Sequence, residues 1–406
     1  MTLASGSGPE GGFGGFGGFG GFGGFGGFGG FGGFGGFGGF GGFGGFGGLG
    51  GFGGGALDTP LVSGALITTR DGIVDAWQPV TTPITQTTQN DPDSLARLSL
   101  PARSALFAFE VASKLGFTFG TTGAGEAVLW HVQAVPDDNP APHPPYRRLV
   151  TMTRPTDAIF RAQLNLIAAY APQRQDRAAE ILAQLSSETE FFRAINYLNP
   201  ARTPHTLELL SVGYALAVMA EGRMKFALAC KRPIEMSPQI QPMVYTPTHG
   251  SLPSGHATES FLIARVLRRL FLDAGTGPYG GEPWGEMLMR QAARIAINRT
   301  VAGVHFPVDS MAGAMLGLTL ADYFVARCTG QNQATQATFT GANVEGTQDF
   351  SWRALYSVSG EAQTGAVNAL GNPYVGVAPV TLDTDSMESP LLEWLWDRAR
   401  DEWVNI

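Results

Sequence analysis

A run of 45 residues near the start of the chain consists almost entirely of the triplet Gly-Gly-Phe. It extends from Gly11 to Gly55 and holds 31 of the 58 glycines and 13 of the 27 phenylalanines in a chain of 406 residues. Glycine loses more backbone entropy on ordering than any other residue, and the absence of proline argues against a collagen-like helix. We therefore predict a disordered tail over residues 1–55, which leaves about 350 residues for folded structure.

The tail also has a second interpretation, because its phenylalanines recur at a fixed interval. Evenly spaced aromatic side chains can mediate weak self-association or contact a partner surface. A homo-oligomer held together in this way therefore stays open beside the interpretation as a flexible extension.

Composition excludes several classes of protein. The net charge of -8 leaves no basic field for nucleic acid or for an anionic membrane surface. The two cysteines, Cys230 and Cys328, form neither a disulfide framework nor a Cys-x-x-Cys site. The longest apolar run, residues 207–220, is too short for a membrane span. Because no signal peptide is visible, we expect a soluble, cytoplasmic protein, with export not excluded.

The remaining sequence predicts a mainly α fold. Residues 56–95 alternate Thr, Val, Ile and Pro without a helical period and favour extended wrapping or short strands. Helical patterns begin near Leu98 and predict accessory helices up to residue 200, followed by a helical core over residues 201–330. Residues 331–406 are weakly β and wrap the core, ending in an amphipathic segment from Pro390 to Val404. The predicted architecture is two helical bundles with irregular or weakly β ends.

Three short blocks within the predicted core combine charge with backbone features suited to a tetrahedral oxyanion. They contain three permanent cations, a hydroxyl group, a glycine amide, two imidazoles and a carboxylate, in the order Lys225, Arg232-Pro233, Pro253-Ser254-Gly255-His256, Arg299, His305 and Asp309. Guanidinium groups match tetrahedral oxygens bidentately, and a lysine adds a point charge. Gly255 lies at a predicted helix N-terminus, where free amides and the helix dipole favour anions.

The two histidines of these blocks are expected to have different tasks. Asp309 follows His305 by four residues, so its carboxylate can accept a proton from one ring nitrogen and make the other more basic. His305 is therefore the better nucleophile or metal ligand. His256 has no neighbouring carboxylate in the motif and suits a general acid or base near pH 7.

The blocks resemble the three-part signature shared by type 2 phosphatidic acid phosphatases (the PAP2 superfamily), class A bacterial acid phosphatases and vanadium-dependent haloperoxidases. The motifs are Lys225-x6-Arg232-Pro233, then residues 253–256, then Arg299-x5-His305-x3-Asp309. Asn298 stands where the family usually has serine. The resemblance implies a helical bundle in which Lys225, Arg232, Ser254, Gly255 and Arg299 bind the oxyanion. His305 would be a phosphohistidine nucleophile or the protein ligand of vanadium, and Asp309 would orient it.

The resemblance leaves two chemistries open, and the sequence favours a vanadium-dependent haloperoxidase. His249 stands where brominating members of the family have a histidine, which indicates oxidation of bromide or iodide by hydrogen peroxide. In this reaction vanadate would be the cofactor, and an organic acceptor would take up the oxidised halide. Gly222, where chlorinating members place tryptophan, argues against a chloroperoxidase. The alternative is an acid phosphatase that needs no cofactor and hydrolyses phosphate esters, and residues 302–309 resemble its form of the motif.

Overall fold

The computed structural model describes residues 60–76, 85–120, 125–133, 145–186, 188–275 and 277–404. The predicted Gly-Gly-Phe tail lies outside these residues. The helices, in chain order, are α1 (Pro60–Ile73), α2 (Leu100–Ala112), α3 (Asp157–Tyr170), α4 (Arg174–Ala183), α5 (Glu188–Asn196), α6 (Pro204–Leu228), α7 (Pro233–Met236), α8 (Gly255–Asp273), α9 (Glu282–Val301), α10 (Pro307–Cys328), α11 (Thr384–Met387) and α12 (Pro390–Asp401). The strands are β1 (Leu115–Gly120), β2 (Glu126–Val132), β3 (Tyr146–Thr153), β4 (Gln333–Thr340), β5 (Tyr356–Ser357), β6 (Ala362–Gln363), β7 (Ala366–Val367) and β8 (Pro373–Thr381).

Helices α8 and α10 form the centre of the fold, and both are buried along nearly their whole length. Two glycines on α10 allow the close approach of the two backbones. A Cβ atom on Gly313 would lie 2.6 Å from the carbonyl oxygen of Ser254, and one on Gly317 would collide with the carbonyl of Thr258. This crossing brings the N-terminus of α10 next to the N-terminus of α8, where Ser254 N donates to the Asp309 carbonyl at 2.9 Å.

Helices α6 and α9 complete the core around this pair. Helix α6 contains the apolar run of residues 207–220 and ends where Ala229 adopts a left-handed φ of 50°. Helix α10 begins with Pro307 at its first position, as the sequence predicts. Among the described residues, no helix combines the length and the apolar character needed to cross a bilayer.

The accessory helices α3, α4 and α5 pack against the core helices and do not enclose a separate bundle. One continuous apolar core runs from Leu95 to Trp403 and includes Phe160 of α3 and Phe192 of α5. On the surface, Arg294 of α9 binds the Glu180 carboxylate of α4 with a nitrogen-to-oxygen distance of 2.8 Å. The mainly α class is confirmed, whereas the accessory helices extend the core bundle.

A six-stranded sheet with the order β1-β2-β3-β4-β8-β7 lies beside the helices. Its C-terminal strands agree with the predicted β character after residue 330. Strands β1 to β3 lie where the sequence analysis placed helices, and this prediction was wrong. The three strands pair in sequence order, β1 with β2 and β2 with β3, both antiparallel, and β3 joins the C-terminal strands by pairing parallel to β4 with Val150 opposite Ala337. The partner β4 is distant in the sequence, so this last pairing leaves no local signal.

Helix α1 corrects the prediction of extended structure over residues 56–95. The run of Ile67, Thr68 and Thr69 suggested a strand because β-branched residues favour strands. In the structure, Thr68 Oγ1 donates to the Gly64 carbonyl one turn earlier at 3.2 Å, and Pro60 occupies the first helical position. The β-branched run is therefore helical, and it pairs with no strand among the described residues.

Candidate active site

All nine residues predicted for the site come together around the N-termini of α8 and α10 and the C-termini of α6 and α9. They are Lys225, Arg232, His249, Ser254, Gly255, His256, Arg299, His305 and Asp309. Five of these residues surround the position at which an oxyanion would bind, and we call them the oxyanion cradle: Lys225, Arg232, Ser254, Gly255 and Arg299. The C-terminal ends of α6 and α9 supply its cations, and the N-terminus of α8 supplies its amides.

His305 occupies the residue before Phe306, which caps α10, and both of its ring nitrogens are engaged. Nδ1 lies 3.1 Å from Oδ2 of Asp309, and Nε2 lies 2.9 Å from Nη1 of Arg232. Because a guanidinium group can only donate, Nε2 carries the lone pair and Nδ1 carries the proton. Burial, together with the charges of Arg232 and Lys225, keeps the pKa of His305 well below its usual range. The imidazole is therefore neutral, with its lone pair directed towards the cradle.

Asp309 is held from several directions. Its Oδ2 atom accepts the amide of Phe306 at 2.9 Å, and Oδ1 lies 3.5 Å from the hydroxyl group of Ser251. Burial raises the pKa of Asp309 to about 7, although the Phe306 amide and the charges of Arg232 and Lys225 oppose this shift. The carboxylate thus fixes the ring of His305 and serves as part of the N-terminal cap of α10.

Arg232, the N-cap residue of α7, contacts both His305 and His249. Its Nη1 atom also donates to the Val304 carbonyl at 2.9 Å, and Nε donates to the His249 carbonyl at 3.1 Å. Nη2 lies 3.1 Å from Nδ1 of His249, whose side chain is exposed at the edge of the site. Burial lowers the pKa of Arg232 to about 10, so the guanidinium group stays charged at neutral pH.

Lys225 and the loop before α8 form the opposite wall. The Lys225 ammonium group donates to the carbonyl of Pro253, and burial lowers the pKa of this lysine to about 8, opposed by the nearby Glu221. The Ser254 hydroxyl accepts the Ala257 amide at 3.4 Å and caps α8. The amides of Gly255 and His256 lie in the first turn of α8, where helical geometry supplies no acceptor.

Arg299 provides the strongest indication of a missing anion. Its Nη2 atom donates to Oε1 of Gln184 at 3.0 Å and to the Ile181 carbonyl at 3.3 Å. Its Nε and Nη1 atoms are buried and have no hydrogen-bond partner among the described residues. A buried guanidinium group with two unsatisfied donors is costly unless a ligand accepts from them.

Three buried glutamates that were not predicted from the sequence lie at the site, two beside His256 and one beside Gly255. Glu188 Oε1 lies 3.3 Å from Nε2 of His256, and Glu259 Oε2 lies 3.9 Å from Nδ1. Glu188 and Glu259 also share a hydrogen bond between their carboxyl groups. Glu221 lies beside Gly255. The signal was present in the spacing, because Glu221 precedes Lys225 by one turn and Glu259 follows His256 by three residues.

The arrangement around His256 suits proton sharing better than metal binding. Donor atoms of Glu188, His256 and Glu259 lie within 4.8 Å of one another, close enough for one cation. The carboxyl groups of Glu188 and Glu259, however, face opposite ring nitrogens of His256, and a single cation can bond to only one ring nitrogen. Burial and the charge of Arg299 hold the pKa of His256 well below its usual range, while the Gln184 carbonyl, 3.1 Å from Nε2, opposes the shift.

Asn298, which replaces the serine usual in the family, is engaged outside the cradle. Its Nδ2 atom donates to Glu180 at 3.0 Å and to Gln184 Oε1 at 2.9 Å, while its Oδ1 atom accepts from Arg177 at 3.0 Å. The residue therefore connects α9 to the accessory helix α4. Because Gln184 also binds Arg299, Asn298 supports the cradle indirectly.

The cradle fits a tetrahedral oxyanion, vanadate included. The unsatisfied donors of Arg299 and the close approach of the α8 backbone at Gly255 provide positions for its oxygens. The lone pair of His305 on Nε2 provides a position for bonding to its central atom.

Part of the chain is similar to known proteins. Residues 207–334 match the family model of the PAP2 superfamily. A solved structure of a transmembrane PAP2-type phosphatidylglycerolphosphate phosphatase from Bacillus subtilis matches with 19% identity, over 41% of this chain and 84% of that chain, with a TM-score of 0.33. No curated protein matches the sequence. The matched residues are the helical core that carries the site, and they contain the whole three-part signature that resembles this superfamily.

Proposed function

We propose that this chain hydrolyses phosphate esters through a phosphohistidine at His305. The observation that carries the proposal is the orientation of the His305 ring. Nε2 has its lone pair directed into the cradle beside Arg232, while Nδ1 is bound to Asp309. A neutral imidazole fixed in this tautomer is a competent nucleophile.

The first half of the reaction would transfer the phosphoryl group to the protein. Nε2 of His305 attacks phosphorus, the N–P bond forms, and the bond from phosphorus to the ester oxygen breaks. The departing oxygen takes a proton from one ring nitrogen of His256, and the other ring nitrogen takes a proton from the carboxyl pair of Glu188 and Glu259, so that the ring stays neutral and the pair becomes ionised. Lys225, Arg232 and Arg299 stabilise the charge that develops on the phosphoryl oxygens.

The second half would return the protein to its initial state. His256 accepts a proton from water and returns one to the ionised carboxyl pair of Glu188 and Glu259, and the resulting hydroxide attacks phosphorus. The N–P bond breaks, inorganic phosphate leaves, and Nε2 of His305 regains its lone pair. Asp309 stabilises the positive charge that the ring carries in the intermediate.

A vanadium-dependent haloperoxidase is the second candidate, and His249 favours it. Nδ1 of His249 lies 3.1 Å from Nη2 of Arg232, so an exposed imidazole stands at the edge of the cradle, where a halide would approach. Vanadate would be held at its oxygens by the five cradle residues and bonded by His305. When bound, it would supply activation of hydrogen peroxide for halide oxidation. The sequence prediction of bromide or iodide oxidation stays a prediction.

Paired assays on one metal-stripped sample of the full chain separate the two candidates. We expect hydrolysis of p-nitrophenyl phosphate that orthovanadate inhibits, and no bromination of a phenol dye with peroxide and vanadate. The His305→Ala variant should lose turnover by roughly a million-fold, as loss of a covalent nucleophile does. Bromination that requires vanadate would instead establish the haloperoxidase. Retained hydrolysis in His305→Ala would contradict the phosphohistidine.

Trapping the intermediate tests the same residue by a readout other than turnover. The N–P bond of phosphohistidine hydrolyses in acid but survives in base. The sample is therefore quenched in base after it is mixed with a 32P-labelled ester. The wild type should retain label in its protein fraction, and His305→Ala should retain none. The Asp322→Asn variant, altered on the same helix but beside Arg265, should label like the wild type.

A further inference from the structure

The cradle contains a carboxylate that a site for anions would not be expected to contain. Glu221 lies one helical turn before Lys225 on α6 and is 6% exposed. Its Oε1 atom lies 2.5 Å from the position that a Cβ atom on Gly255 would occupy, and its Cδ and Oε2 atoms lie 3.2 Å from the same point. The Glu221 carboxyl group therefore contacts the N-terminus of α8 at the cradle.

This carboxyl group also has few compensating interactions. Oε2 is buried and has no hydrogen-bond partner among the described residues. An ionised carboxylate buried without hydrogen bonds is expensive unless charges compensate it. Here the compensation is the field of the cradle itself, from Lys225, Arg232 and the N-terminus of α8. A bound oxyanion would rely on the same three sources.

Several other ionisable groups face Glu221 from the elements packed against it. They are Tyr214 and Lys225 on α6, Arg232 before α7, Glu188 on α5, and Glu259 on α8. Glu188 and Glu259 are hydrogen-bonded to each other, and Tyr214 is hydrogen-bonded to Glu259. Such a pair of carboxyl groups holds a proton in common. Glu221 is the carboxyl group of the cluster that lies closest to the amides of the cradle.

We propose that Glu221 couples the binding of an oxyanion to the uptake of one proton. In the empty cradle the carboxylate balances the cations. When a tetrahedral anion binds, Glu221 accepts a proton from solvent, and its O–H group donates a hydrogen bond to an oxygen of the anion. The proton and the anion thus bind together. Whenever Glu221 stays ionised, its negative charge lowers the affinity of the site for anions. The inference rests on the oxyanion cradle of the proposed function, but not on hydrolysis.

The electrostatics of the empty site agree with this role. Burial raises the pKa of Glu221 to about 7, and the charges of Lys225 and Arg232 oppose the shift. A dianion placed beside the carboxylate would raise the pKa further, because like charges at short distance disfavour ionisation. Uptake is therefore expected at pH values above about 7, where the empty site holds Glu221 ionised.

Calorimetric titration of the full chain with sulfate tests the proposal directly. Sulfate is tetrahedral, and its charge is constant between pH 5 and 9, so a pH dependence of its binding originates in the protein. We expect the affinity of the wild type to fall by about tenfold per pH unit above the pKa of Glu221. Titrations at pH 8 in two buffers of different ionisation enthalpy should report the uptake of about one proton per sulfate.

Two variants and one control assign the proton to Glu221. In Glu221→Gln, and in Glu221→Ala should the glutamine variant fold poorly, the affinity at pH 8 should rise about tenfold and the uptake should fall by nearly one proton per sulfate, leaving only the part that Lys225 contributes. Glu286→Gln loses a carboxylate on α9 that binds Arg290 and Arg353 at the surface, and it should keep the wild-type behaviour. Circular dichroism verifies that each variant is folded.

The outcomes separate this inference from the function on which it rests. Equal pH slopes and equal proton uptake in the wild type and both Glu221 variants would overturn the role of Glu221 alone. Failure of the wild type to bind sulfate at any pH would overturn the oxyanion cradle as well. Proton-coupled sulfate binding without hydrolysis of any ester would support the inference and contradict only the proposed hydrolase.

Discussion

Nδ1 of His305 lies 3.1 Å from Oδ2 of Asp309, one helical turn further along the chain. The same carboxylate oxygen accepts the amide of Phe306 at the start of α10. One side chain therefore sets both the tautomer of the histidine and the cap of the helix that carries it. Its replacement should affect activity and stability separately.

The Asp309→Asn variant should lower kcat for phosphate-ester hydrolysis by about 10- to 100-fold without abolishing it. The amide removes the negative charge that stabilises the imidazolium and weakens control of the tautomer. Steady-state kinetics with p-nitrophenyl phosphate measure the effect, and thermal unfolding measures the loss of the cap. The control Asp322→Asn, on the same helix but beside Arg265, should keep the wild-type kcat. An unchanged kcat in Asp309→Asn would refute the orienting role.

The Arg299→Lys variant should reduce kcat/KM by about 100-fold, the cost of one lost donor to a developing oxyanion. Lysine retains the charge, but it lacks the planar guanidinium group that lets Arg299 donate hydrogen bonds to Gln184 and to an anion at the same time. Arg294→Lys is the matched control, since Arg294 lies on the same helix and binds only the surface carboxylate of Glu180. Similar kinetics for both variants would contradict a place for Arg299 in the cradle.

The Asn298→Ser variant restores the residue usual in the family and should nevertheless be harmful here. Serine is too short to replace the three hydrogen bonds to Arg177, Glu180 and Gln184. Leaving buried partners unsatisfied should cost about 1 to 3 kcal/mol in the free energy of unfolding. KM should also rise, because Gln184 no longer holds Arg299 in place. Urea denaturation and steady-state kinetics check both expectations, and unchanged values would show that Asn298 is replaceable.

The free energy of unfolding should fall as the pH rises from about 6.5 to 8. Burial raises the pKa of Glu188 to about 8 and of Asp309 to about 7, above their values in the unfolded chain. The folded state therefore binds more protons in this range, and stability decreases as these are lost. Below pH 6.5 the buried neutral histidines act in the opposite direction, since the unfolded chain protonates them.

Thermal unfolding at fixed ionic strength measures this dependence. The melting temperature of the wild type should fall between pH 6.5 and 8, and Glu188→Gln should show a smaller fall. Above pH 8 the depressed pKa of Lys225 reverses the trend, because the unfolded chain then holds the extra proton. A melting temperature that rises between pH 6.5 and 8 would contradict the protonated state of the buried carboxyl groups.

The helices could be predicted from the sequence because their signals are local. Pro307 at the start of α10 and the apolar pattern of α6 mark their elements without reference to the rest of the chain. The first three strands were not predicted, because the parallel pairing of β3 with β4, which joins them to the C-terminal strands, bridges the whole helical core in the sequence and has no local signal. Helix α1 shows the reverse case, because its β-branched residues Ile67, Thr68 and Thr69 predict a strand but are helical in the structure.

The charged groups of the candidate site were predictable because each block combines several reactive residues at fixed spacing. The structure adds the carboxyl groups of Glu188, Glu221 and Glu259, which a sequence pattern presents as ordinary helix residues. Glu188 lies between Ser187 and Glu190, whose spacing is that of a capping box and indicates only the start of a helix. Only the packing of α5 against α8 and α9 shows that it faces His256.

The parallel pairing of β3 with β4 has a consequence for how the protein matures. Thr153 Oγ1 contacts the carbonyl of Phe339 across 186 residues of intervening chain, and that interval contains every residue of the cradle. During synthesis the ribosome releases the entire catalytic segment before the strand that completes the sheet. Topologies with such distant contacts fold slowly, so a chain truncated before β4 would expose an open strand edge and should be a substrate for chaperones.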